Sequence, residues 1–243
     1  MNVYEKNKIG DIIKGNPYVG RGIVIGKTED GEKAAVAYFI MGRSENSRNR
    51  VFSLKDGAVF TEPFDASKVE DPSLIIYRAI GSFENKLVVT NGDQTDTVLD
   101  GLKNGESFAK ALTKREFEPD SPNFTPRISG MLTFENGDFD YEMSILKSAD
   151  EIGSACSRYH FSYPAIKGVG HFIHTYVCDG NPLPTFVGEP ERVIVPNDID
   201  EFTNDLWTNL NDENKISLYV AFINLKDNSV EERMININKL PIY

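Results

Sequence analysis

The run Arg127-Ile128-Ser129-Gly130-Met131-Leu132-Thr133-Phe134-Glu135-Asn136-Gly137-Asp138-Phe139-Asp140-Tyr141-Glu142-Met143-Ser144-Ile145 decides the fold class. Ile128, Leu132 and Phe134 alternate toward Asn136-Gly137, and Phe139, Tyr141, Met143 and Ile145 alternate away from it. An apolar period of two marks a strand that buries one face. Asn-Gly between two such runs accepts the positive φ angles of a type I′ turn, whose twist matches that of paired strands. The segment is therefore an antiparallel hairpin.

Outward from the hairpin, the same reading predicts strands at Arg21–Gly26 and Ala34–Met41, joined by Glu29-Asp30-Gly31. Two more follow at Leu74–Ile80 and Leu87–Thr90, separated by Glu84-Asn85, while Asp56 to Pro72, rich in Pro, Asp and Gly, reads as loop. Helical spacing appears at Thr95–Lys103 and from Glu106 to Arg115, where Phe108, Ala111 and Leu112 share a face. Beyond the hairpin come strands at Arg158–Tyr163 and His171–Cys178. A helix over Asp198–Leu210 has Ile199, Phe202, Leu206 and Leu210 on one side. Strands at Ser217–Leu225 and Val230–Asn236 flank Asp227-Asn228. Strands arriving in adjacent pairs, with helices grouped between, favour an α+β architecture with largely antiparallel sheets over a doubly wound one. No repeat or linker divides the chain, so residues 1–243 read as one domain.

Composition narrows the chemistry. The chain is 40% hydrophobic and 26% charged, ample for a core without a metal or disulfide staple. Two cysteines, Cys156 and Cys178, make no framework and suit a reducing compartment. With no signal-like run at the N-terminus and no long apolar stretch, the expected location is the cytoplasm, away from membranes. A net charge of −11 works against binding nucleic acid. A small anion instead responds to charges within about 8 Å, roughly the Debye length, so a local cationic pocket is the feature to seek.

The densest cationic stretch is Gly42-Arg43-Ser44-Glu45-Asn46-Ser47-Arg48-Asn49-Arg50, with three of the chain's ten arginines. Arginine offers a fork of donors that fits phosphate, and Ser44 and Asn49 are of the types that complete such a shell; a solvated surface loop is the equal alternative. Thr90-Asn91-Gly92-Asp93-Gln94-Thr95-Asp96-Thr97 leads a strand through a polar turn into a helix. That turn suits an amide or phosphate, and equally plain capping by Asp93 or Thr95. Glu116, Glu118 and Asp120, in a loop before the hairpin, read from composition alone as surface acids. Gly20-Arg21-Gly22 with Gly26 lacks the dinucleotide spacing and runs into a strand; no P-loop or nucleophile elbow is present. His171 and His174, three apart on a strand, face opposite sides and do not share a metal ion.

Four segments in order, Tyr18-Val19-Gly20-Arg21, the loop ending Asn49-Arg50, Thr90 to Thr97, and Thr125-Pro126-Arg127-Ile128, together resemble the archaeal-type IMP cyclohydrolase family, and more closely its longer bacterial branch. Asp71-Pro72-Ser73-Leu74-Ile75-Ile76-Tyr77 also looks like the family's segment before its central strand. The archaeal likeness covers residues 18–145, whereas Gly170–Pro190 looks like the bacterial branch only.

The resemblance implies a four-layer αββα sandwich akin to N-terminal-nucleophile hydrolases, without their nucleophile, since Asn2 follows Met1. It implies dehydrative closure of 5-formamidoimidazole-4-carboxamide ribonucleotide to IMP, with neither metal nor cofactor. It suggests Arg43 and Arg50 at the phosphate or ribose, Arg21, Ser44, Asn49, Thr125 and Arg127 as further ligand contacts, and Asn91 and Gly92 at the base or its carboxamide. Tyr77 and Glu118 match positions expected to move protons. The match at Glu118 needs a one-residue insertion, and the arginine loop is two residues longer than the archaeal one, so its last family arginine falls on Arg48 or Arg50. An N-terminal-nucleophile amidohydrolase and a non-catalytic purine-nucleotide sensor are the alternatives. A homo-oligomer is the common default for such enzymes.

Overall fold

Two antiparallel sheets account for the alternation. In chain order the elements of the computed structural model are α1 (Ile9–Ile13), β1 (Arg21–Lys27), β2 (Lys33–Met41), α2 (Glu45–Arg48), β3 (Arg50–Lys55), β4 (Ala58–Pro63), β5 (Tyr77–Phe83), β6 (Lys86–Thr90), α3 (Gln94–Lys103), α4 (Phe108–Leu112), β7 (Arg127–Glu135), β8 (Asp138–Ser148), β9 (Cys156–Pro164), β10 (Val169–His174), β11 (Glu191–Val193), α5 (Ile199–Asn209), β12 (Lys215–Asn224) and β13 (Val230–Asn236). The structure describes residues 4–69 and 76–238. Strands β3 to β9 form a seven-stranded meander in sequence order. The six-stranded sheet has the order β11-β10-β1-β2-β12-β13, so it joins early and late parts of the chain.

The hairpin that opened the reading pairs from Glu135↔Asp138 to Arg127↔Leu146. Asn136 and Gly137 have φ of 52° and 74°, the conformation that Asn-Gly accepts at little cost. Ile128, Leu132, Tyr141, Met143 and Ile145 face the six-stranded sheet, where Ile23, Ile25, Val36 and Tyr38 meet them in the main core. Alternate residues face outward: Val88, Met131 and Leu146 pack under Val98, Leu99, Phe108 and Leu112 of α3 and α4. On the far side of the other sheet, Val24, Phe39, Val220 and Phe222 meet Ile9, Ile13, Phe202 and Leu206 of α1 and α5. Strand β2 is buried on both faces, which is why Ala34–Met41 is a continuous apolar run. Asp198 caps α5 by accepting from the N–H groups of Asp200 and Glu201. No helix among the described residues is long and apolar enough to cross a membrane.

Several expectations need correction. Gly42–Arg50 is not simply a loop: Ser44 and Ser47 form a reciprocal cap that nucleates α2, and Arg50 opens β3. Asp56 to Pro72 contains β4, turned back on β3 at Asp56-Gly57 with φ of 50° and 73°. Pro63 ends that strand instead of forbidding it, because proline is tolerated where the ladder stops. The helix expected from Glu106 to Arg115 contracts to Phe108–Leu112, started by Ser107 accepting from Lys110 N–H. The strand expected over His171–Cys178 ends at His174. The expected start of β5 at Leu74, and most of the Asp71–Tyr77 segment, lie outside the described residues.

Candidate active site

Strand polarity brings four of the singled-out side chains to one end of the sheets. Because neighbours run antiparallel, β1, β3, β5 and β7 begin where β2, β4 and β6 end. Arg21, Arg50, Tyr77 and Arg127 are the first residues of β1, β3, β5 and β7. Alternation sets the side: Arg21 is in phase with Ile23 and Ile25, and Arg50 with Phe52, all of which face the intersheet core. Arg21 and Arg50 are consequently only 9% and 2% exposed. Arg127 is in phase with Met131, on the face of β7 that packs under α3 and α4, and is 8% exposed where its strand begins.

Glu118 reaches them from the loop between α4 and β7. Its N–H donates to Thr125 O at 2.9 Å, while Thr125 N–H donates to Asp120 Oδ1 at 2.6 Å and the Thr125 hydroxyl meets Tyr176. This knot turns Glu118 inward, where it is 5% exposed and its Oε2 lies 3.8 Å from Arg21 Nη2.

The charges do not balance. Arg127 Nη1 donates to Asp93 Oδ1 at 2.8 Å and Gln94 Oε1 at 2.7 Å, but its Nε has no acceptor among the described residues. Arg21 Nε has none either. Among the described residues Arg50 finds only backbone carbonyls, Ser47 O at 2.7 Å and Met41 O at 3.5 Å. Burial therefore pulls the Arg50 guanidinium below its ordinary pKa, and the charge of Arg21 adds to that. For Arg21 burial also opposes the charge, but Glu118 and the Tyr18, Tyr176 and Tyr77 rings outweigh it and the pKa rises. Burial pushes the Glu118 carboxyl above the usual carboxylate range, against the pull of Arg21, Arg127 and Arg50. Buried charge without a full set of partners is costly, and an anion is what would complete this set. The surplus stands out in a chain of net charge −11.

Two hydroxyls complete the cluster: Tyr77 and Tyr38 oxygens are 2.9 Å apart, with Arg21 and Arg50 close to both. Sequence reasoning found Tyr77 and missed Tyr38, Tyr18 and Tyr176. Tyr38 hides in the apolar run of β2, in phase with Val36 and Ile40. Its one signal is a polar tip on a strand buried on both faces.

The remaining singled-out residues frame the cluster. Asn91 splices β6 to β7: its Nδ2 donates to Pro126 O, and its Oδ1 accepts from Ile128 N–H and Gln94 Nε2, each at 2.9 Å. A Cβ at Gly92 would lie 2.6 Å from Arg127 Nη1, so glycine is what lets that guanidinium reach Asp93 and Gln94. Asp93 stands at the N-cap of α3 but makes no side-chain cap; it serves Arg115 and Arg127 instead. Asn49 brackets the Asp65 backbone, and Ser44 caps α2, so both shape the approach to Arg50. Arg43 stands apart, about a third exposed, paired with Asp179 and lying 5.1 Å over the Tyr18 ring.

The two histidines face opposite sides, as their spacing predicted. His171 Nδ1 meets the Tyr141 hydroxyl at 2.6 Å and its ring stacks on Tyr163, whereas His174 stacks on Phe172 and lies 3.5 Å from Glu191. No group of three or more His, Cys, Asp or Glu suited to a metal occurs among the described residues.

Comparison with known proteins places these features in context. A family model described as IMP cyclohydrolase-like protein matches residues 18–228. The chain is 36% identical over 116 residues to a protein named IMP cyclohydrolase from Methanopyrus kandleri, covering 46% of this chain and 57% of that one. It is 28% identical over 165 residues to the protein of the same name from Methanococcus aeolicus, covering 66% and 75%. For Methanocaldococcus jannaschii the figures are 32% over 117 residues, covering 47% and 56%. The chain thus spans little more than half the length of two of these relatives and three quarters of the third.

Proposed function

The chain belongs to the IMP cyclohydrolase-like family, and from that premise we propose that it closes the second ring of a purine ribotide. In this reading 5-formamidoimidazole-4-carboxamide ribonucleotide becomes IMP and one water leaves. The observation that carries the reading is the buried trio Arg21, Arg50 and Arg127 around Glu118, beside the Tyr77–Tyr38 hydroxyl pair.

The chemistry asks for little more. The carboxamide nitrogen and formyl carbon share one imidazole, so holding the two arms face to face supplies much of the acceleration. As the nitrogen attacks, its proton leaves and negative charge grows on the formyl oxygen. Glu118, made more basic by burial, takes the proton. Tyr77 donates its hydrogen to the oxygen, helped by the field of Arg21 and Arg50. The resulting carbinolamine then expels its hydroxyl as water, the proton on Glu118 going to the departing oxygen, and the ring C=N forms as the former formamide nitrogen gives up its hydrogen, which restores the Tyr77 hydroxyl. Arg43, over the Tyr18 ring, and Arg50, also near Tyr18, hold the phosphate or ribose end. Arg127 and Gly92 border the base.

The wider reading is one domain over residues 1–243, located in the cytoplasm and assembled as a homo-oligomer. It also takes the fold as a four-layer αββα sandwich of the N-terminal-nucleophile hydrolase type, a reading supported by helices packed on the outer faces of the two sheets. The deciding measurement is the ultraviolet change from the formylated ribotide to IMP. Wild-type turnover that collapses in Glu118→Gln supports the proposal. A wild-type protein that binds IMP without turning over the ribotide overturns it in favour of a sensor.

A further inference from the structure

Tyr38 lies mid-strand in β2, is fully buried, and stacks on Phe52 with ring centroids 5.4 Å apart. Its strand neighbours in register are Ile23 and Tyr219. Among the described residues its hydroxyl has one hydrogen-bond partner, the Tyr77 oxygen at 2.9 Å, and Tyr77's hydroxyl has only Tyr38. Each phenol carries one hydrogen and two acceptor positions, so two hydroxyls joined by one bond leave one hydrogen unspent. Which one is left over follows from the surroundings. Ile23 and Phe52 beside the Tyr38 ring offer no side-chain acceptor, Arg21 and Arg50 near its hydroxyl are donors only, and Tyr219 spends its hydroxyl on Glu232. Were Tyr77 the donor, the hydrogen of Tyr38 would be stranded in the core, a costly arrangement. The remaining direction satisfies the buried group: Tyr38 donates and Tyr77 accepts.

We propose that Tyr38 is a positioning residue for the ring closure, donating to Tyr77 and thereby aiming the hydrogen of Tyr77 at an oxygen of the bound ribotide. The inference rests on the function proposed above. The walls on that side supply donors, since Arg21 and Arg50 cannot accept a hydrogen bond. Glu118, the carboxylate of the cluster, lies against Arg21 and makes no bond to Tyr77, so the acceptor comes with the substrate, and the oxygen that gains charge is the formyl oxygen. A chain of two donors in a dry site also polarises in one direction, so Tyr77 gives a stronger bond than a lone phenol. Burial pushes the Tyr38 hydroxyl well above its ordinary pKa, with the neighbouring Tyr77 adding to the shift, so Tyr38 stays a neutral donor.

The test compares Tyr38→Phe, Tyr77→Phe and the double variant, with kcat and KM read separately from ribotide to IMP. Loss of a direct oxyanion donor lowers kcat by about 100-fold, and loss of its alignment by about tenfold. Tyr38→Phe is expected to lower kcat with KM held within about twofold, and the double variant to be no slower than Tyr77→Phe alone. Losses that multiply in the double variant overturn the proposal, as does a Tyr38→Phe protein with unaltered kcat. If Tyr38→Phe does not fold, 3-fluorotyrosine at position 38 keeps the packing but alters the donor; a changed kcat at constant KM supports the role, and an unchanged kcat overturns it. A wild-type protein that fails to turn over the ribotide removes the function and this inference together, whereas an active wild type with an indifferent position 38 removes this inference alone.

Discussion

The two ends of the sheets are built by different means. At one end, β3 turns into β4 at Asp56-Gly57, β5 into β6 at Glu84-Asn85, and β7 into β8 at Asn136-Gly137. An open groove of about 810 Å³ runs among these turns, lined by exposed Glu84, Glu135, Asp138 and Lys226 of mixed sign. At the other end the β2–β3 and β6–β7 connections, residues 42–49 and 91–126, are longer, and Arg21, Arg50, Arg127 and Glu118 are buried there. The open groove is the poorer candidate for chemistry, because its charges are exposed and screened by solvent. The closed end isolates its charges from water, which strengthens every interaction with a ligand. Tight turns stabilise the scaffold locally, and the long connections are free to carry function.

That contrast can be broken most sharply at Arg50. Arg50→Met is expected to cut kcat/KM by about 100-fold or more. The same variant, without ligand, is expected to melt no lower than wild type, because it removes a buried cation with only carbonyl acceptors. Glu84→Gln at the turn end is expected to change neither quantity. Unimpaired turnover in Arg50→Met, read by the ultraviolet assay, would erase the distinction between the ends.

The pH profile gives the next effect. With the Glu118 pKa raised by burial, the base form exists only above that raised value. The rate is therefore expected to fall with decreasing pH at a point above the usual carboxylate range, and Glu118→Gln to lack that limb along with most of its activity. A profile whose acid limb sits at an ordinary carboxylate pKa would show Glu118 to be solvated.

Two glycines sharpen the comparison, one at each end. Gly137→Ala puts a side chain at φ of 74° and is expected to cost about 1–2 kcal/mol in urea unfolding, with turnover unchanged. Gly92→Ala crowds Arg127 and is expected to lower kcat/KM by about tenfold. The reverse pattern would put the function at the turns. Between the ends, burial lowers the His171 pKa from 6.5 to about 4. The unfolded chain then binds the extra proton across that window, so stability is full above 6.5 and falls as pH drops toward 4. Thermal unfolding against pH is expected to show a loss of roughly 1–2 kcal/mol that flattens in His171→Gln. The smallest effect belongs to the rim: Asp179→Asn frees an exposed ion pair of Arg43 and is expected to move KM by less than about fivefold.

The same contrast explains what was legible. The hairpin around Asn136-Gly137 could be read completely, because alternation and turn chemistry are properties of adjacent residues. Arg21 and Arg50 were identified as candidates, and their burial follows from being in phase with Ile23 and Phe52. Strand β4 escaped because Asp56, Gly57 and Pro63 all look like breakers until β3 lies beside them. The inward turn of Glu118 depends on Thr125 and Tyr176, the latter from a segment that pattern alone did not connect to it. Tyr38 was invisible for the opposite reason: its neighbours made it look like core, which it also is.

The order β11-β10-β1-β2-β12-β13 has a temporal consequence. The buried Arg21, Arg50 and Arg127, with Tyr77 and Glu118, lie between residues 21 and 127, and the seven-stranded meander can zip up as it leaves the ribosome. Arg21 and Tyr38, however, sit on strands whose outer partners, β10 and β12, are synthesised after the whole meander. A nascent chain therefore holds all of these side chains long before they are enclosed, and the cluster is completed in a late step, when residues 215–224 dock beside β2.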